Sequence, residues 1–260
     1  MPGAEAYSHD GGDVAVLLCH GFTGCPQSLR PWAEHLASAG FTVRVPRLPG
    51  HGTTWQQLNV TRWPDWYAAV ERELLALAAS HRAVVVGGLS MGGALALRLA
   101  QHHPVDVAGL ALVNPAVRLT DRRLAALPLV RRLTPSIAGF GSDIRTPGVT
   151  ELAYDRTPLH ALASTLQLYA DVERDLPQVT QPMVVFRSSV DHVVPTSSPE
   201  LVLARVSSCD LTDVELLKSF HVATLDEDAP LIFAGTVAFA RRVTAEPATA
   251  EVSPVVGTAP

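Results

Sequence analysis

The sequence predicts an α/β protein in which a mostly parallel central sheet carries helices on both faces. Two observations predict it. Short β-branched or apolar runs, each bounded by Gly, Pro or Asn, recur along the 260 residues, and segments with helical apolar spacing lie between them. Strand and helix alternating in this way build parallel sheets that are buried on both sides. A chain of this length buries a sizeable core, and α/β folds of this size are commonly single, so one domain is expected over residues 1–245.

The expected strands are residues 14–19, 41–45, 83–87, 107–113, 183–186 and 211–217. Residues 64–80 put Trp66, Val70, Leu74 and Leu77 on one helical face, and residues 158–175 do the same with Leu159, Leu162, Leu166 and Tyr169. Another helix opens directly after Ser90, and the last is expected near residues 230–244. From about residue 118 to 159 the alternation stops, and Pro128, Pro135, Pro147 and Pro158 exclude a long helix or a central strand. An excursion of this length with short apolar patches reads as a small cap, or lid, over the sheet edge. Its Leu124, Leu127, Leu129, Val130, Ile137 and Phe140 suit the wall of a fatty-acyl channel, and equally suit plain packing of a cap on the core. Residues 246–260 combine Pro, Ala and Thr without any period and are expected to be a disordered tail.

Composition removes several function classes. With 20 Lys+Arg against 25 Asp+Glu the net charge is −5, and no basic block tracks a phosphate backbone, so nucleic acid is not an expected partner. Cys19, Cys25 and Cys209 are too few and too scattered for a disulfide framework or a zinc site, and read as thiols of a reducing compartment. The first residues lack a basic and an apolar leader region, and no later apolar run approaches a membrane span, so a cytoplasmic protein without a transmembrane segment is expected. Nothing in the sequence sets an oligomeric state.

Residues 88–92, Gly-Leu-Ser-Met-Gly, match the G-x-S-x-G nucleophile elbow, with a strand ending before them and a helix starting after them. A strand that turns at once into a helix strains its central residue and leaves no room for side chains two positions away, which explains the glycines. The turn would hold the Ser90 hydroxyl out at the sheet edge, above a helix N-terminus. The plain alternative is an ordinary Gly-rich strand-to-helix turn. A serine hydroxyl needs a base and an acid to become a nucleophile, and fold order places the acid first. Asp191, in the loop after the strand ending at residue 186, is the candidate acid, and His221, after the following strand, is the candidate base. His51 lies in a turn, His81, His102 and His103 at helix ends, and His192 beside the acid without being the base. The backbone N–H groups of Phe22 and Met91 are the candidate oxyanion hole, and His20 is read as holding the turn that carries Phe22. That loop has neither the Lys of a P-loop nor a G-x-G-x-x-G, which disfavours phosphate binding. Hydroxyl, imidazole and backbone amides supply all of this chemistry, so neither a metal nor a cofactor is expected. Cys19 is placed inside a buried strand, and Cys25, just past the oxyanion turn, nearer the site.

Six motifs in one order, HGFTGCPQSLRP, PRLPGHGT, GLSMGG, ELAYDRTP, DHVVP and HVATLD, resemble those of the α/β-hydrolases, and among them of bacterial monoacylglycerol lipases and related carboxylesterases. The resemblance spans roughly residues 14–242. It implies a serine hydrolase with Ser90, Asp191 and His221 as triad and Phe22 and Met91 as oxyanion donors, acting on a small-molecule lipid ester and touching lipid surfaces transiently. It further implies that Glu151 contacts the glycerol end of a monoacylglycerol, and that the apolar gate falls at Phe140 or a neighbour such as Ile137. For Glu151 the plain alternative is a solvated acid at the start of a helix. The competing functions are a general carboxylesterase, an acyltransferase or perhydrolase with the same triad, and a silent binding protein on the same fold.

Overall fold

The computed structural model describes residues 1–139 and 141–245; Phe140 and the expected tail at 246–260 lie outside the described residues. In chain order the elements are β1 (Tyr7–His9), β2 (Val14–Cys19), α1 (Arg30–Ser38), β3 (Thr42–Val45), α2 (Trp55–Val60), α3 (Trp63–Ala78), β4 (Ala83–Leu89) and α4 (Met91–His102). There follow β5 (Gly109–Val113), α5 (Leu127–Leu133), β6 (Ser136–Ala138), β7 (Arg156–Pro158) and α6 (Leu159–Asp175). The chain continues through β8 (Met183–Ser188), α7 (Ser197–Arg205), β9 (Leu211–Leu216) and α8 (Ala229–Val243). The main sheet has the order β1-β3-β2-β4-β5-β8-β9, and every neighbouring pair is parallel except β1 with β3.

Side-chain alternation along β2 explains why the strands read as continuous apolar runs. Ala15, Leu17 and Cys19 face the layer that holds α3, α4 and α6, while Val14, Val16 and Leu18 face α1 and α8. Both faces are covered, so neither set can be polar. α4 is apolar over nearly its whole surface because residues 91–101 are buried, its exceptions Arg98 and Gln101 bonding the Asp175 carboxylate and the Val172 carbonyl, and its glycines and alanines let it lie close to the strands. Trp66, Val70, Leu74 and Leu77 of α3 are all buried, the face expected from the spacing.

Some boundaries moved for local reasons. The strand expected from residue 107 begins at Gly109, because the Val107 N–H is still closing the turn onto the His103 carbonyl. Pro158 ends β7 opposite Ser136 instead of opening a helix, and α6 starts at Leu159. The nine-residue helices α1 and α7 carry only three buried positions each, too few for a clear period.

The excursion between β5 and α6 is two unlike halves. Its first half, a short 3-10 turn at Arg122–Ala126 followed by α5, leaves Leu129 63% and Leu133 79% exposed. Its second half is tethered. The Tyr154 hydroxyl donates to the Gly50 carbonyl (2.6 Å) and accepts from the Thr53 N–H (2.9 Å). The Asp226 carboxylate accepts from the N–H groups of Arg145 (2.7 Å) and Thr146 (3.1 Å) and from the Thr146 hydroxyl (2.7 Å).

Candidate active site

Ser90 stands between β4 and α4 with φ 57° and ψ −119°, a left-handed conformation that side chains rarely adopt. Its N–H donates to the Val113 carbonyl of the neighbouring strand (3.0 Å), and its own carbonyl accepts from Gly93 (2.9 Å) and Ala116 (3.2 Å). The flanking glycines are required by contact distance. A Cβ on Gly88 would stand 2.2 Å from the Gly92 carbonyl oxygen, and one on Gly92 would stand 1.9 Å from the Cys19 carbonyl oxygen. No side chain fits at either position without moving backbone.

Asp191 and His221 are brought together. Their Oδ2 and Nδ1 are 2.7 Å apart, and both side chains are under a tenth exposed. An ionised carboxylate can only accept, so Nδ1 carries the proton and Nε2 keeps a lone pair. The other Asp191 oxygen accepts from the N–H groups of Val193 (2.8 Å) and Val194 (2.7 Å). Burial pushes the Asp191 carboxyl up, but the His221 charge and these hydrogen bonds outweigh it and hold it below the usual carboxylate range. Burial likewise pushes the His221 imidazole down, and the carboxylates of Asp191, Glu151 and Asp143 together carry it above the ordinary histidine value.

The family described as Hydrolase_4, serine aminopeptidase S33, matches residues 12–228. The chain belongs to that family. It is 41% identical over 239 residues to a thermostable monoacylglycerol lipase of Bacillus sp. (strain H-257), covering 92% of this chain and 95% of the relative. A carboxylesterase of Bacillus subtilis (strain 168) is 26% identical over 231 residues, covering 88% of this chain and 92% of the relative. Among solved structures, one described under the metagenome-derived lipolytic enzymes LipS and LipT superposes with a TM-score of 0.91 at 40% identity, covering 93% of this chain and 99% of that one. The fold is therefore that of the α/β-hydrolases, with the mostly parallel sheet and flanking helices of its structural neighbours.

Within this S33-family fold, the loop after β2 lies against the elbow: a Cβ on Gly21 would be 3.6 Å from the Ser90 Cβ. Phe22 follows Gly21, and Met91 opens α4, so its N–H is among the first four of a helix that have no intrahelical acceptor. Burial pushes the His20 imidazole down to about 4, which keeps it neutral. Its Nδ1 donates to the Gly21 carbonyl (3.0 Å), and its Nε2 accepts from the Leu48 N–H (3.2 Å), so it pins this loop to the turn after β3. His51 is buried against His20, Phe22 and Trp66, also as a neutral ring.

Glu151 lies in irregular chain between β6 and β7, which corrects the reading of it as a solvated acid at a helix start. Its carboxylate oxygen packs against Gly24, where a Cβ would come within 2.5 Å of it. Loss of water pushes its carboxyl up, only partly offset by His221 and the Ser28 hydroxyl. The Cys25 thiol, in the same corner, donates to the Leu152 carbonyl (3.5 Å), and Cys19 is buried in β2, with its thiol pushed up to about 12.

Two cavities adjoin through Asp121, Arg123, Leu124 and Leu162, and the first of them opens beside the Asp191 loop. One, of about 420 Å³, is lined by Leu119, Asp121, Arg123, Asp191, His192 and Val193 among others. The other, of about 290 Å³, is walled by Leu124, Leu127, Val130, Ile137, Leu159 and Leu162 and is mostly apolar. Ile137 is thus at a cavity wall, 40% exposed. Among the described residues no group of three or more His, Cys, Asp and Glu side chains is placed to hold a metal ion, and no helix is long and apolar enough to cross a membrane.

Sequence reasoning missed Asn114. At the end of β5, with φ 43°, its amide donates to the His221 carbonyl (2.8 Å) and to the Ser188 hydroxyl (3.0 Å), and its oxygen accepts from the Ser188 N–H (2.7 Å). This one side chain ties the His221 loop to the strand ends beside Ser90. An Asn directly after a strand, the residue type that tolerates positive φ, was the available signal. Asp143 was missed as well.

Proposed function

We propose that this chain hydrolyses carboxylic esters, a monoacylglycerol to fatty acid and glycerol foremost, through an acyl-enzyme on Ser90. The observation that carries the reading is the buried Asp191–His221 pair tethered through Asn114 to the sheet edge that bears the strained Ser90. Ser90 Oγ attacks the ester carbonyl while His221 Nε2 takes its proton; His221 returns that proton to the departing glycerol oxygen. Water, deprotonated by the same Nε2, then cleaves the acyl-enzyme, and the proton goes back to Ser90. Asp191 holds the imidazole in the working tautomer, and the Phe22 and Met91 N–H groups receive the oxyanion.

Glu151 reads the glycerol. A glyceryl ester offers two hydroxyls to a carboxylate and an alkyl ester offers none. The similarity to the Bacillus monoacylglycerol lipase supports this choice over the general carboxylesterase that the B. subtilis relative suggests. The acyl chain occupies the apolar cavity at Ile137, under residues 118–159 acting as the cap of a single domain that spans residues 1–245. Exposed Leu129 and Leu133, with Arg131 and Arg132 beside them, give the cap a face for transient contact with a lipid surface. Three cysteines that all remain thiols fit a cytoplasmic location.

The test is kcat/KM on a monoacylglycerol and on an ethyl ester of the same acid, in the wild type and in Glu151→Gln. The glyceryl substrate should lose roughly ten- to a hundredfold against the ethyl ester. Equal losses on both would return the assignment to carboxylesterase.

A further inference from the structure

Asp143 belongs to the excursion, 48 residues upstream of the acid and 78 upstream of the base, yet its carboxylate spans both loops that carry them. Oδ2 accepts from the His192 N–H (3.1 Å), next to Asp191, and from the His221 N–H (3.1 Å). Oδ1 pairs with His192 Nδ1 (2.8 Å), and the Asp143 carbonyl accepts from the Val222 N–H (3.0 Å). The Asp143 side chain is 14% exposed, while the His192 ring on its outer side is 59% exposed. From this geometry we propose that Asp143 is a positioning residue for the reaction: it clamps the acid loop to the base loop and couples the seating of the cap to the register of Asp191 with His221.

The reason is mechanical and electrostatic. Asp191 and His221 come from separate loops after β8 and β9, and the 2.7 Å bond between them sets both tautomer and ring angle only if the two loops keep one spacing. A carboxylate that accepts from both backbones fixes that spacing from a third element. Because the carboxylate comes from the excursion, lifting residues 141–146 would release both loops together. Its charge also faces His221, with those of Asp191 and Glu151, and favours the imidazolium formed when the serine proton is taken. The His192 imidazole, stacked edge-on against Phe220, contributes one of the four contacts, and the backbone contacts stay without it. Asp226 is the natural control. It anchors the same segment through Arg145 and Thr146 but accepts from Phe220, not from His221.

The proposal rests on the reading of Ser90, Asp191 and His221, and the experiment separates the two. A fluorophosphonate reports Ser90 reactivity without any ester substrate; if wild type is not labelled at Ser90, that reading fails whatever Asp143 does. With labelling in hand, Asp143→Asn, Asp143→Ala, His192→Ala and Asp226→Asn are compared for kcat, KM, the pH profile of kcat/KM and Tm. Both Asp143 variants should lose roughly ten- to a hundredfold in kcat with KM nearly unchanged. Their acid limb should move to lower pH, since removing a negative charge beside His221 lowers its pKa. His192→Ala should stay within about threefold of wild type, and Asp226→Asn should lower Tm without moving the acid limb. Should Asp143→Ala not fold, the isosteric Asn variant decides. A folded Asp143→Asn with wild-type kcat and an unmoved acid limb would overturn the proposal, as would a loss that tracks Tm alone in the manner of Asp226→Asn.

Discussion

At the end of β4 the chain is fixed by backbone against backbone: the Gly92 Cα hydrogens face the Cys19 carbonyl, Gly88 faces Gly92, and the strained Ser90 is locked by its bond to Val113. Residues 141–154 are held mostly in another way, by side-chain bonds to distant elements, with Tyr154 bonded to Gly50 and Asp226 to Arg145 and Thr146. The first arrangement has one solution and tolerates no side chain. The second can be released and remade bond by bond, which suits a region that admits a substrate. In the proposed function, chemistry sits on the rigid part and selection of the substrate on the tethered part.

The largest effects should come from the rigid part. Ser90→Ala and His221→Ala should each reduce ester hydrolysis by roughly 10⁴-fold or more, with Tm within a few degrees of wild type, because the two act as one proton-transfer unit. Purified variants assayed side by side with thermal melts check this.

A glycine pair sharpens the contrast. Gly92→Ala must push the Cys19 carbonyl aside and should lose about 3 kcal/mol or fail to fold. Gly148→Ala, in the tethered part, has open space around its Cβ but a φ of +80°, and should lose only about 1–2 kcal/mol. Equal losses in urea unfolding would erase the distinction.

This same distinction governs what the sequence could tell. Backbone-on-backbone contact writes itself locally, as glycines two residues from the serine, so the elbow was legible, and with it the parallel sheet whose central strands are apolar on both faces. The meeting of Asp191 and His221 was legible through topology, because each lies in a loop after one of the last two strands, the buried β8 and the edge strand β9. Asn114, Asp143 and Tyr154 were not, since their partners lie 107, 78 and 104 residues away and no local pattern marks a residue whose role is a distant hydrogen bond. The alternative of a helix start at Glu151 failed for a related reason: the segment is irregular and held by Gln27, whose side-chain oxygen accepts from the Leu152 N–H.

The pH profile probes the two parts jointly. His221 must be neutral to act as base, and its raised pKa places the acid limb of kcat/KM above the ordinary histidine value of 6.5. Glu151→Gln removes one of the charges responsible and should move that limb to lower pH. A limb that Glu151→Gln leaves in place would mean that the Glu151 charge does not act on the titrating group.

The smallest expected effect is on stability at Glu151. Its folded pKa lies above the unfolded value of about 4.5, so the folded state binds more protons there and stability falls as pH rises through the interval between the two. Glu151→Gln should raise Tm by roughly 2–4 °C at neutral pH, and the gain should vanish below pH of about 4.5, where the wild-type carboxyl is protonated in both states. A lower Tm in the variant would mean that the carboxylate is better compensated than its surroundings indicate.

Covalent labelling tests the central assignment most directly. Wild-type protein treated with a fluorophosphonate and mapped by peptide mass spectrometry should carry one adduct, on Ser90, formed in step with loss of ester hydrolysis. The adduct should be absent in Ser90→Ala and formed far more slowly in His221→Ala. Modification of a different serine, or hydrolysis that survives full occupancy of Ser90, would contradict the account.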